Sequence, residues 1–232
     1  MSRLYQQIED PLYQEEAEGR EQNFLPIMRY LNKLHPARGS LFDVGAATGI
    51  LLNLAERKGW IPDGVEPSRW AVLTARKKYG LSLRHGDFET VSLPDHHYTA
   101  VTMVDFIEHV PSPGKAVNKA ADIITPQGTL CLVTPDISSA AARVAGKRWW
   151  HFRPAHLHYF NPRSLQILLE RCGFYIIKTR RYSWTFSAHY LISRIPLFNL
   201  LLRNQKLSSF WKSIPIKLVL GDSFEVYARK IK

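Results

Sequence analysis

Cysteine is scarce: Cys131 and Cys172 are the only two in 232 residues. One falls in an apolar strand pattern and the other near a helix end, without metal-ligand spacing. They read as reduced core thiols, and a disulfide framework is excluded. No run of eighteen uncharged apolar residues occurs, which argues against a membrane span. The opening MSRLYQQIEDPLYQEE has no apolar core, so the expectation is a cytoplasmic protein without a secretory leader. No low-complexity tract or internal repeat appears. Acid is missing locally: nine basic residues and no Asp or Glu lie between Arg171 and Gly221, in a chain of formal net charge +11. A block of one sign points to an anionic partner. The glycines of a dinucleotide fingerprint, at positions one, three and six, are also missing. Counting from Gly45, position three is Ala47 and position six is Ile50, too bulky for close helix–strand packing. An NAD-dependent oxidoreductase therefore ranks last.

What is present is organised around Leu41 to Ile50, reading LFDVGAATGI. A short β-prone segment ends in Asp43 and Val44, small residues follow, and an apolar helical pattern begins at Ile50. A strand that turns through small residues into a helix leaves backbone N–H groups accessible at a positive helix end, the plan of a nucleotide or cofactor cradle. The length suits one α/β domain. Helical spacing covers Glu18–Leu34, Leu51–Lys58, Ser68–Lys78, Gly114–Thr125 and Arg163–Cys172. Strands are expected at Ser40–Val44, Trp60–Val65, Leu81–His85, Tyr98–Val104, Thr129–Thr134, Phe174–Thr179 and Ser223–Arg229. This alternation demands a parallel sheet with right-handed crossovers. Glu66 lies twenty-one residues past Gly45, at a strand tip where a carboxylate can accept the paired hydroxyls of a ribose.

The stretch from Asp43 to Gly49 resembles the D-x-G-x-G-x-G loop of class I S-adenosylmethionine-dependent methyltransferases, with Ala47 at the middle glycine. The segment Glu108-His109-Val110-Pro111, its following helix, the P-Q-G turn into a strand, and His156-Leu-His158-Tyr-Phe160 resemble the broad group that includes ubiquinone-pathway O-methyltransferases. The resemblance implies a Rossmann-like sheet of order 3-2-1-4-5-7-6, with strand seven antiparallel, helices on both faces, and a helical insert between strands six and seven. It implies one domain over 1–232, with a helical lead-in at 1–35 and a basic, aromatic helical cap at 183–221. S-adenosyl-L-methionine is assigned to Asp43, Gly45, Ala46, Ala47, Gly49, Glu66, Pro67, Asp87, Phe88 and Asp105. In that group an acid at Asp87 bonds the adenine amino group and an apolar neighbour, here Phe88, covers the ring.

Methyl transfer needs nucleophile, methyl and sulfur in line, and a hydroxyl nucleophile must lose its proton. His156 is the first candidate base, with His109 and His158 next, because imidazole titrates near working pH. Asp105, Glu108 and His109, with His156, also resemble the divalent-metal ligand set of small-RNA 2′-O-methyltransferases. Three functional readings follow: an O-methyltransferase acting on a small-molecule, lipid-linked or glycan-linked hydroxyl; a metal-dependent RNA methyltransferase; and a non-catalytic cofactor-binding protein. Between Tyr182 and Asp222, aromatic and aliphatic residues alternate with basic ones, and Pro196 and Pro215 are expected to break the stretch into short helices. That composition suits a lid over the substrate pocket or a peripheral contact with an anionic membrane through 183–221.

Overall fold

The structure is a computed structural model that describes residues 16–193, 210–212 and 214–231. Helix α1 (Ala17–Leu34) precedes β1 (Ser40–Val44), α2 (Ile50–Arg57), β2 (Ile61–Glu66), α3 (Arg69–Tyr79), β3 (Arg84–His85) and β4 (Tyr98–Val104). Then come α4 (Pro113–Ile123), β5 (Ile124–Pro135), α5 (Ala140–Ala145), α6 (Pro162–Arg171), β6 (Phe174–Ser187), α7 (Ala188–Ser193) and β7 (Pro215–Lys230). The seven strands order as β3-β2-β1-β4-β5-β7-β6. Strands β1 to β5 pair in parallel, while β7 runs antiparallel to both β5 and β6. Fold class and strand order are those expected.

Side-chain alternation along the strands divides the interior into two cores. Phe42, Val44, Leu130 and Leu132 point to one face, where α4 and α6 bring Val117, Leu165 and Leu169. Leu41, Cys131 and Val133 point to the other, against Ile27, Met28 and Leu31 of α1 and Ile50, Leu51 and Leu54 of α2. The apolar residues of α1 recur at Phe24, Ile27, Met28 and Leu31, the spacing of one buried helical face. Cys131 is fully buried and both cysteines are free thiols. At Gly49 the chain enters α2 with φ 78°, and an added Cβ would lie 2.8 Å from Leu81 Cδ1 and 3.2 Å from Ala75 Cβ. Only glycine allows α2 and α3 to meet there.

Three expectations need correction. The P-Q-G segment lies inside β5 as a bulge: Tyr98 pairs with Ile124 and Ala100 with Thr129, so Thr125–Gly128 stand opposite Thr99 alone. Strand β3 is only Arg84–His85, and Leu81 is instead packed beside Gly49 in the core. Among its described residues the cap is strand as well as helix, with α7 and residues 210–212 helical. Residues 183–187 belong to β6 and 215–221 to β7, joined through pairs such as Trp184 with Leu218 and Ser187 with Pro215. Period-two alternation of Trp184 and Phe186 against Ile216 and Leu218 wins over helical spacing there, because each strand offers the other its hydrogen bonds. Pro215 begins a strand, where its missing N–H costs little. Residues 1–15 of the lead-in and 194–209 of the cap lie outside the described residues.

Candidate active site

A cavity of about 420 Å³ opens at the carboxyl ends of β1, β2 and β4. This is the edge of an open α/β sheet where ligands bind, at the point where strand order reverses. Of the residues expected at a cofactor, Asp43, Gly45, Ala46, Ala47, Glu66, Pro67 and Asp105 line it. His109 lines it as well. Gly49, Asp87, Phe88, Glu108, His156 and His158 do not. Gly49 turns the chain into α2. Phe88 is buried in the core against Phe42 and Phe106, with ring centroids 6.1 and 6.0 Å away, and does not line the cavity. An apolar side chain after a turn has two destinations, and here the core takes it.

The β1–α2 loop is tied down rather than open. The N–H groups of Gly45 and Ala46 donate to the Val65 carbonyl at 3.0 and 3.1 Å, and that of Ala47 donates to Glu66 Oε2 at 2.8 Å. Glu66 Oε1 accepts from Ser68 N–H at 2.8 Å. Each Glu66 oxygen keeps a further lone pair, so the carboxylate is held flat for two donors side by side. A loop whose first N–H groups are already spent is poorly suited to a pyrophosphate, which corrects the open cradle inferred from the small residues. Ala47 takes φ 47°, the left-handed region the family glycine would occupy.

Acidity dominates the floor. Burial pushes Asp43 up to about 7, against the hydrogen bond of 2.5 Å that Thr102 Oγ1 donates to it. Asp105, at the end of β4 with φ 50°, is pushed up to about 6 by burial, while His151, Arg20 and Arg153 hold it down. Glu66 is also raised by burial, opposed by its two backbone donors. Burial thus favours the neutral form of all three carboxyls, and Arg20 and Arg153 line the same cavity.

Beside this floor stands a cluster behind β4. Glu108 is buried, accepts from Thr134 Oγ1 at 3.1 Å, and is pushed well up by burial and by Asp105. His109 Nδ1 donates to the Ala155 carbonyl at 2.8 Å, which leaves Nε2 unprotonated in the neutral ring. His156 meets the His109 ring edge-on at 4.6 Å, and burial and the neighbouring imidazoles lower it to about 3. His158 donates its backbone N–H to the Glu108 carbonyl, and its ring neighbours Phe160. Glu108, His109 and His156 each bring one ligand atom within 4.8 Å of the others; Asp105 is outside this group. Arg20, Asn23 and Phe24 of α1, with Trp70 and Arg153, line the cavity without having been expected there. They reach the cavity from elements packed over the sheet; Trp184 belongs to the expected cap, and Arg153 to the loop that carries His156.

Fold and site together define a class I methyltransferase of the S-adenosylmethionine-dependent type. Residues 13–179 match the family described as Methyltransferase domain, and the chain belongs to that family. Among curated proteins it is 30% identical over 108 residues to a ubiquinone biosynthesis O-methyltransferase of Thiobacillus denitrificans, covering 44% of this chain and 47% of that one. A ubiquinone biosynthesis O-methyltransferase of Xanthomonas axonopodis is 30% identical over 122 residues, 49% of this chain and 50% of the relative. The match thus spans about half the length of these relatives. Among solved structures, a SAM-dependent methyltransferase of Archaeoglobus fulgidus superposes with TM-score 0.63 at 17% identity, covering 95% of this chain and 100% of the other. The magnesium protoporphyrin IX methyltransferase of Synechocystis, solved with bound SAH, gives TM-score 0.64 at 14% identity, covering 96% and 89%. These structures share the fold.

Proposed function

We propose that this chain transfers the methyl group of S-adenosylmethionine to a hydroxyl oxygen of a small, lipid-linked or glycan-linked acceptor. The observation that carries the reading is the convergence of three carboxyls, Asp43, Glu66 and Asp105, on one cavity at the ends of β1, β2 and β4, beside Arg20 and Arg153. A sulfonium nucleoside is a cation and such a floor favours it, whereas a dinucleotide would bring a pyrophosphate to the same acids. When bound, S-adenosylmethionine supplies an electrophilic methyl whose thioether leaves without needing a proton. Glu66 holds the ribose hydroxyls, and Asp43 and Asp105 face the positive charges. His109 takes the acceptor proton at Nε2, since Nδ1 already donates to Ala155. This moves the base from His156, which does not line the cavity.

Calorimetry with S-adenosylmethionine and NAD, followed by product detection against candidate hydroxyl acceptors, tests the reading. Tight binding of the sulfonium alone is expected, with Glu66→Ala weakening it at least about tenfold. His109→Ala is expected to lower kcat about 100-fold while leaving cofactor affinity unchanged. Binding without any turnover would leave the non-catalytic alternative.

A second reading is favoured by one specific observation. Glu108 Oε1 and His156 Nδ1 are buried without hydrogen-bond partners, in the group whose ligand atoms lie within 4.8 Å of one another. Those residues fit a divalent cation. Glu108, His109 and His156 would hold it, and the ion would acidify a bound hydroxyl as a Lewis acid. A ribose 2′-hydroxyl of RNA would then be the acceptor class. Loss of turnover in EDTA, restored by Mg²⁺, Mn²⁺ or Zn²⁺, supports this version, and EDTA-insensitive turnover supports the free base.

A further inference from the structure

The β6–β7 hairpin runs past the end of β5, on the cavity side of the sheet, and it carries an irregularity. Tyr182 pairs with Ser223 and Trp184 with Leu218, so Val219 to Asp222 stand opposite Ser183 alone. This is a large bulge, and it is built rather than frayed. Arg181 Nη1 donates to the Gly221 carbonyl at 2.6 Å and to Asp136 Oδ2 at 3.0 Å. The buried Asp222 carboxylate accepts from Trp149 Nε1 at 3.2 Å and lies 3.3 Å from His151 Nε2. The bulge therefore also anchors the segment that follows α5. These polar ties hold an apolar surface out in water: Val219 is 71% exposed and Leu220 47%. In α5 itself Val144 is 90% exposed, and on the anchored segment Trp150 and Phe152 are also exposed. A fold that fixes such side chains outward needs something to cover them.

Charge names the cover. From Ile137 to Gly221 the sequence holds fourteen Lys or Arg and a single acid, Glu170. Between α1 and the hairpin runs a groove of about 350 Å³ lined by Arg29, Arg180, Arg181 and Lys217, with Glu225 the acid among its described lining residues. Arg180 already serves Glu225 and Tyr227. Asn23 lines both this groove and the cofactor cavity, so the basic surface and the site are adjacent. Exposed aliphatics interleaved with cations match an anionic bilayer, whose headgroups meet the charges while its acyl boundary takes the apolar side chains. Nucleic acid would supply the charge, yet it offers nothing to Val144 or Val219, which have no ring to stack on a base.

We propose that the Val219–Asp222 bulge and the segment from Val144 to Phe152 dock this protein on an anionic membrane surface, with the cofactor cavity beside the bilayer. This concerns where the protein works and goes beyond the reaction assigned above. Co-sedimentation with phosphatidylglycerol-rich vesicles and with pure phosphatidylcholine vesicles tests it. The wild type is expected to pellet with the former and stay in solution with the latter. Lys217→Gln is expected to lower the partition about fivefold, the effect of one cation near such a surface. The double variant Val144→Asp, Val219→Asp is expected to stay in solution while binding S-adenosylmethionine as the wild type does. Absence of wild-type binding, equal binding to both vesicles, or an unaffected double variant overturns the proposal. So does salt-sensitive RNA binding, or a dimer abolished by Val219→Asp, without vesicle binding. Calorimetry separates the failures: cofactor bound without vesicle binding overturns the surface alone, and vesicle binding without cofactor binding overturns the methyl-transfer reading alone.

Discussion

Asp43 carries a pH dependence that can be measured without knowing the acceptor. Its carboxyl sits at about 7 in the folded chain, raised by burial from an ordinary value of 3.8. The folded state therefore holds a proton that the unfolded state releases, and between pH 4 and pH 7 stability falls as pH rises. The favourable contribution is complete below the unfolded value and gone above the folded one. Asp43→Asn should flatten that slope in urea denaturation while keeping the acceptor oxygen for Thr102. A cationic ligand reverses the preference, since it needs the carboxylate. Affinity for S-adenosylmethionine should rise from pH 5.5 to pH 8, roughly tenfold for each carboxyl ionised per pH unit, and calorimetry in buffers of different ionisation heat should show proton release. A pH-independent affinity would remove Asp43 and Asp105 from contact with the ligand's charge. Asp43, Glu66 and Asp105 were legible because acids at the carboxyl ends of β1, β2 and β4, neighbours in the sheet, converge on one edge. Phe88 was misplaced because sequence fixes that an apolar side chain is buried, not which apolar space receives it.

Among the elements, the joint from β1 into α2 was the most legible and the β6–β7 hairpin the least. The joint depends on neighbours in sequence, a short strand, small residues and an apolar helix start, and local chemistry sets all three. The hairpin depends on pairing between residues more than thirty apart, Trp184 with Leu218 for example. Its alternation was hidden among prolines and aromatics that also suit short helices. Strand β5 shows the same effect, since P-Q-G reads locally as a turn and only pairing with β4 makes it a bulge. The joint yields its own prediction. Gly49→Ala adds a methyl 2.8 Å from Leu81 Cδ1 at a left-handed residue. It should cost about 1–3 kcal/mol and lower Tm by about 2–4 °C for each kcal/mol, with cofactor affinity following only if α2 shifts. An unchanged Tm would mean that α2 and α3 separate freely at this contact.

At the scale of the molecule, the cofactor cavity joins parts that the chain keeps far apart. Arg20, Asn23 and Phe24 come from α1, Glu66 from the end of β2, Trp70 from α3, and Trp184 from the hairpin. α1 and the hairpin are joined by polar ties, Thr185 N–H donating to Asn23 Oδ1 at 2.6 Å and Asn23 Nδ2 to the Thr185 carbonyl at 3.3 Å, and by packing of the Tyr30 ring on Tyr227 at 4.4 Å. A ligand that fills the space between them adds contacts that neither element makes alone, so binding should couple their local unfolding. At a concentration of S-adenosylmethionine 100 times its Kd, mass action adds about 2.7 kcal/mol, enough to raise Tm by roughly 5–10 °C. Hydrogen exchange should slow together in α1 around Asn23 and in β6 around Trp184, while α4 and α6 on the opposite face are unchanged. Glu66→Ala should abolish both effects at the same ligand concentration. Protection confined to the β1–α2 loop would show instead that the ligand rests on the sheet edge alone, and that α1 and the hairpin do not close over it.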